Sequence, residues 1–239
     1  MSSVARERYL ELAVSNKTTD NKYSYRNGIA QLNFQIPGNY LLDPTSVRIC
    51  GGIRFYTGLD KTDANNVPGV SKTELSISSR LNVYSCFQQL ILRSLNTQTS
   101  LEHCRHYNQF LSSYLPLTTN LQDSAGHLNQ SALIFPNYEV NRTTSVNKDE
   151  PNHFCCHLPS GLMNGDPIPM AREWGISGLD LTIMLENDAQ ALHTLDGSTD
   201  YTESWYEFED LKLICKVIEP SVDQLSKLMS GGGGSLTYQ

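Results

Sequence analysis

The dominant period along the chain is two. In "AQLNFQIP", Ala30, Leu32, Phe34 and Ile36 alternate with Gln31, Asn33 and Gln35, so a strand here has one apolar side and one side of uncharged amides. "LDLTIMLEN" puts Leu179, Leu181, Ile183 and Leu185 on one side. "FEDLKLICKVIEP" does the same with Leu211, Leu213, Cys215 and Val217, against Asp210, Lys212 and Lys216. Strands that are apolar on one side only belong to antiparallel sheets covering a core. Weaker strand signals lie in "SVRICGGIRFYTG", where Gly51 and Gly52 predict a bulge or bend, in "RLNVYSCFQQLILRSL" and in "HFCCHLPSGLM". Some six to eight strands, separated by loops rich in Asn, Thr, Asp and Gly, predict an all-β sandwich or barrel. No βαβ rhythm and no fixed-period repeat is visible.

Two short helices interrupt this pattern. Thr99 with Glu102 three residues later forms a capping box, Leu101, Cys104, Tyr107, Leu111 and Tyr114 recur at spacings of three and four, and Pro116 closes the far end. The spacing predicts a helix over about 99–115, with Cys104 in its buried stripe. Ser221 with Gln224, followed by Val222, Leu225 and Met229 on one face, predicts a second helix over about 221–229. Segments 60–74 and 118–152 lack periodicity, and loops of that length serve recognition or contacts with neighbours. The second holds an apolar run, Ala132, Leu133, Ile134, Phe135 and Pro136, which is the candidate subunit-contact loop. "SGGGGSLTYQ" is a flexible linker by composition.

Charge narrows the choice of partners. The chain has 239 residues, with 18 Lys+Arg against 25 Asp+Glu, and its net charge of -7 has the wrong sign for neutralising phosphates. With no basic run either, no direct nucleic-acid partner is expected. Arg6, Glu7 and Arg8 interrupt any signal-peptide core, and no apolar run approaches the ~20 residues of a membrane span. The chain is therefore expected to be made in the cytosol and not secreted, and its six cysteines to be free buried thiols.

Two histidine clusters invite a metal reading. His103 and His106 stand three apart, but on the expected helix Cys104 lies on a different face and no further ligand has recognisable spacing. On a strand, His153, Cys155 and His157 all point one way like a comb, yet an open site needs a further converging group. A cysteine nucleophile is no better supported, because burial on an apolar face raises a thiol pKa. Neither a Gly-x-Ser-x-Gly elbow nor a phosphate-cradling Gly loop is present. No catalytic residue, cofactor or metal is expected.

The order of parts carries a resemblance. A polar-faced strand, then "VYSCFQQLILRSLNTQTSLEHCRHYNQFL", a long loop, "HFCCHLPSGLM", "GLDLTIMLEN" and "YEFEDLKLICKVIEP" resembles the first barrel of double jelly-roll major capsid proteins, in the polinton-like virus, virophage and adintovirus branch of the adenovirus-type lineage. The resemblance covers roughly residues 25–220. It implies an eight-stranded antiparallel jelly-roll sandwich over 25–220, an N-terminal arm over 1–24, and a capping helix with a Gly-rich linker over 221–239. It further implies a structural protein of the virion that self-assembles, as trimers, into capsomers of an icosahedral shell and contacts other capsid proteins. The family carries two barrels, and this sequence ends where a second would begin. A penton or other minor single jelly-roll capsid protein is therefore the alternative within the class. Outside it stand a jelly-roll carbohydrate-binding module, using Trp174 or Trp205 as an exposed platform, and a metal enzyme built on the comb of His153, Cys155 and His157.

Overall fold

The computed structural model describes residues 6–56, 75–77, 81–118, 151–170, 176–194 and 205–219, except for the side chains of Leu75, Ser76, Pro116, His193 and Thr194. The apolar run 132–136, the second helix expected over 221–229, the Gly-rich linker and Trp174 lie outside the described residues.

Eight strands build the sandwich: β1 (Arg6–Ala13), β3 (Gln31–Pro37), β4 (Leu41–Tyr56), β6 (Phe87–Ser94), β7 (Ser100–Cys104), β8 (Asn152–His157), β10 (Gly178–Leu185) and β12 (Trp205–Glu219). Short pieces complete the set: β2 (Lys22–Tyr23) on β12, β9 (Ile168–Pro169) on β4, and β5 (Leu75–Ile77) paired with β11 (Leu192–Thr194). One sheet runs β1-β12-β4-β8 and the other β3-β10-β6-β7. Among these eight, the first pairs with the last (β1 with β12), the second with the seventh (β3 with β10), the third with the sixth (β4 with β8) and the fourth with the fifth (β6 with β7), all antiparallel. That is one long hairpin rolled up so that alternate pairs fall into opposite sheets, which is the jelly roll. The all-β sandwich expected from the period-two pattern is therefore present.

The core lies between the sheets. Leu32, Phe34 and Ile36 from β3 lie beside their register partners Ile183, Leu181 and Leu179 on β10, lining the inner side of one sheet, and all six are at most 1% exposed. In β12 the inward positions are Tyr206 and Phe208, then Leu211, Leu213, Cys215 and Val217, so the phase changes from even to odd. The change falls at Asp210, whose φ of 51° marks an inserted residue in the ladder with β4. The bend predicted at Gly51 and Gly52 is thus a bulge in the facing strand. A Cβ on Gly51 would stand 2.7 Å from Leu211 Cδ2, so only glycine lets the bulged residue close on β4.

Three expectations are corrected. Residues 99–104 are not helical: after a reversal with Gln98 at φ 55°, Ser100–Cys104 continue the sheet as β7, with Leu90 opposite Cys104 and Leu92 opposite Glu102. Only after His106, at φ 53°, does helix α1 (Tyr107–Thr118) begin, and it runs through Pro116 rather than ending before it. The free edge of β6, an apolar strand buried by the core, demands a ladder partner, and that tertiary demand overrides a local capping signal. Residues 6–13 of the expected arm form the first strand of the barrel. Finally, Cys50 and Cys155 are not free thiols. They sit directly opposite each other in the β4–β8 ladder and are joined in a disulfide. Cys86, Cys156 and Cys215 are buried free thiols, as expected.

Candidate functional site

The clusters that looked chemical are taken apart by the fold. Glu102 faces inward from β7 and accepts hydrogen bonds from Ser160 Oγ (2.8 Å), Gly161 N (2.8 Å) and Leu162 N (2.9 Å). It serves as an anion clamp on the 160–163 turn, not as a helix cap. His103 points the other way and meets Gln89 Oε1 at 3.1 Å. Cys104 is half-buried, its Sγ donates to Glu102 Oε1 at 3.6 Å, and burial with the neighbouring carboxylate pushes the thiol up to about 11. His106 occupies the left-handed turn before α1. Glu102 and Cys104 thus meet on the inner side of β7, while His103 and His106 serve elsewhere and none of the four shares a site with both histidines.

The second cluster is divided in the same way. Of the comb on β8, His153 is exposed, Cys155 is bonded to Cys50, and His157 is folded in beside Arg48, its register partner in β4. Burial, then the Arg48 charge, lowers the His157 pKa, and Nε2 is buried with no hydrogen-bond partner among the described residues. Among the described residues, no group of three or more His, Cys, Asp or Glu side chains converges on a point where a metal ion would sit. Cys156, pushed up to about 12 chiefly by burial, is a core residue rather than a nucleophile.

Two buried carboxylates were not singled out from the sequence. Glu186, at the end of β10, accepts from Asn108 Nδ2 (2.9 Å), from its neighbour Asn187 N (2.9 Å) and from Gln88 Nε2 (3.4 Å). It ties α1 and the short helix α2 (Asp188–Ala191) to the sheet end. Glu207, fully buried on β12, meets Lys22 Nζ at 3.3 Å and accepts from Tyr56 Oη at 3.2 Å. Their signal was faint: each interrupts or follows an apolar strand at an outward position, where a polar residue is ordinary. Trp205 lies flat on Tyr56, with ring centroids 4.1 Å apart and Arg26 above it, and is only 1% exposed. It offers no platform to a sugar.

Among the described residues, the remaining candidates for function are the walls. The outer face of the β1-β12-β4-β8 sheet is laced with ion pairs: Lys216 with Glu7 (3.0 Å), Lys212 with Glu11, and Arg54 with Glu209 (3.0 Å). The outer face of the other sheet shows Gln31, Asn33 and Gln35 from β3, with Thr182 Oγ1 hydrogen-bonded to Asn33 Oδ1 at 3.1 Å. Among the described residues, no helix is long and apolar enough to cross a membrane.

No protein-family model and no curated protein matches the chain. Solved structures similar to it include PBCV-1 VP54 as fitted into a cryo-EM reconstruction of the virophage Sputnik (9% identity, TM-score 0.45, covering 96% of this chain and 46% of that one). A chain of the Sputnik virophage cryo-EM structure has 11% identity and a TM-score of 0.49 over 91% of this chain and 48% of its own. The mavirus major capsid protein has 8% identity and a TM-score of 0.40 over 90% and 46%. The chain spans about half the length of each of these structures.

Proposed function

We propose that this chain is a non-enzymatic structural subunit of a viral capsid, found in the virion, which associates with itself into capsomers, as trimers, and through them with other capsid proteins. The observation that carries the reading is the complete rolled hairpin, a block with two sheet walls made by the pairs from β1–β12 to β6–β7. A fold alone does not fix a function, so weight also falls on what the block offers. Among the described residues, Glu102 is spent on a turn, Cys50 and Cys155 on a disulfide across a ladder, and Trp205 is sealed under Arg26. Among the described residues, what it presents to other molecules is chiefly wall, as a tiling unit requires. A net charge of -7 suits a shell that leaves genome condensation to other proteins.

The test is mass spectrometry of purified particles, together with electron microscopy of the recombinant chain at high concentration. Many copies per particle, or regular oligomers, are expected. A chain that is absent from particles and monomeric at high concentration overturns the reading.

A further inference from the structure

The outer face of the β4–β8 ladder carries a pair of cysteines within reach of solvent. The pleat turns Arg48 and Cys50 of β4 and His153, Cys155 and His157 of β8 outward, while Ile49, Phe154 and Cys156 face the core. Cys50 and Cys155 are therefore direct partners on the solvent side, bonded to each other and half-buried rather than sealed. No other thiol competes for either of them. Cys156, next in sequence, points the opposite way, Cys86 and Cys215 are sealed in the core, and Cys104 lies on β7 in the other sheet. Burial pushes the Cys156 and Cys215 thiols up to about 12 and about 11, which keeps them out of exchange chemistry.

We propose that the Cys50–Cys155 disulfide is a reversible redox clasp for β8, closed by a small-molecule disulfide of the glutathione class and opened by the corresponding thiol. β8 is the end strand of its sheet, so β4 is its one ladder partner among the described residues. Its six residues, Asn152–His157, pair with Ile53 back to Arg48. A strand held along one edge opens more readily than one held along two. The crosslink falls inside that short ladder and ties β8 to a residue 105 positions away in the chain. The thiolate of one cysteine attacks a sulfur of oxidised glutathione and expels one glutathione thiolate, leaving a mixed disulfide on the protein. The thiolate of the second cysteine attacks that protein sulfur and expels the other glutathione. Two protein thiols and one glutathione disulfide thus become one protein disulfide and two glutathione thiols, with two electrons passing to glutathione and the two protons ending on its sulfurs. The charged groups nearest the pair favour this chemistry. Arg48 lies two residues along β4, and Lys212, tied to Glu11, is the register partner of Cys50 on β12. Positive charge beside a thiol stabilises its thiolate and draws an anionic tripeptide.

The experiment equilibrates the full chain in buffers running from excess reduced to excess oxidised glutathione, followed by acid quench, alkylation and peptide mass spectrometry. Cys50 and Cys155 are expected to pass together from alkylated to linked, reversibly and with unchanged circular dichroism, while Cys86, Cys156 and Cys215 stay unlinked. Hydrogen exchange then reads the clasp itself. Amides of β8 should exchange at least about tenfold faster in the reduced chain, whereas those of β10, inside the other sheet, should not change. Cys155→Ser and, separately, Cys50→Ser should hold β8 at the reduced rate in every buffer. The native chain supplies the same comparison without any substitution. A folded chain that forms no Cys50–Cys155 link under excess oxidised glutathione overturns the proposal. So does a link that thiol opens only when the chain unfolds, which makes it a permanent bond, and so does a link that leaves β8 exchange unchanged. None of these outcomes bears on the capsid reading, which the content of particles decides.

Discussion

The two walls of the sandwich share one core but solve opposite problems at their surfaces. On the β1-β12-β4-β8 wall, acids and bases alternate between neighbouring strands and neutralise one another within the chain, as with Glu7 and Lys216 or Glu209 and Arg54. On the β3-β10-β6-β7 wall the charge has been removed rather than paired, and the one acid and one base left by β3, β10 and β6 make no ion pair among the described residues. The difference teaches that an uncharged face on an acidic protein is as informative as a charged one. Surface ion pairs contribute little to stability and are easily replaced.

The largest effect expected separates the inside of the amide wall from its outside. Leu181→Ala, at 0% exposure between β3 and β6, removes core methyl groups and leaves a cavity, and should cost about 2–5 kcal/mol in urea unfolding. Its neighbour Thr182→Ala loses one hydrogen bond, to Asn33, and should cost about 1 kcal/mol. Equal losses at both positions would mean that the outer face also belongs to the core, and the contrast between the walls would fail.

The edge of the same wall gives a medium effect and decides between strand and helix over 100–104. Glu102→Ala frees two backbone N–H groups and the Ser160 hydroxyl, and should cost about 2 kcal/mol. Thr99→Ala should leave stability nearly unchanged, because no capping box exists for it to serve. If Thr99→Ala instead costs the ~1 kcal/mol of a lost N-cap, the strand assignment is wrong. In Glu102→Gln the Cys104 thiol, now pushed up to about 11, should alkylate faster.

The smallest effect belongs to the charged wall. His157 is held below its ordinary pKa of 6.5 by burial and by Arg48, so the folded state disfavours the imidazolium. The unfolded chain then binds more protons near and below pH 6.5, and stability falls as the pH drops through that value toward the lowered folded pKa. Urea midpoints at pH 7.5 and 5 should differ more for the native chain than for His157→Leu. The same pH slope in both would assign the acid sensitivity to other groups.

Some of this was legible in the residues alone. The alternation in 30–36, 179–185 and 211–217 named the buried side of three strands, because a half-buried strand writes its environment into every second letter. The same letters recorded the amides of β3, although not that they share a face with Thr182 and Ile91. Misreading began wherever the deciding partner was distant in sequence. The Thr99 to Glu102 spacing is a sound local signal, yet Glu102 spends its carboxylate on a turn 58–60 residues away and the backbone spends its hydrogen bonds on β6. Cys50 and Cys155 are separated by 105 residues, and only the β4–β8 register sets them face to face. Periodicity is a property of one strand and survives in one dimension. Register, sheet order and the pairing of charges across strands are properties of two or more, so the sequence by itself determined which sides are buried, and only the tertiary structure decided what each exposed side meets.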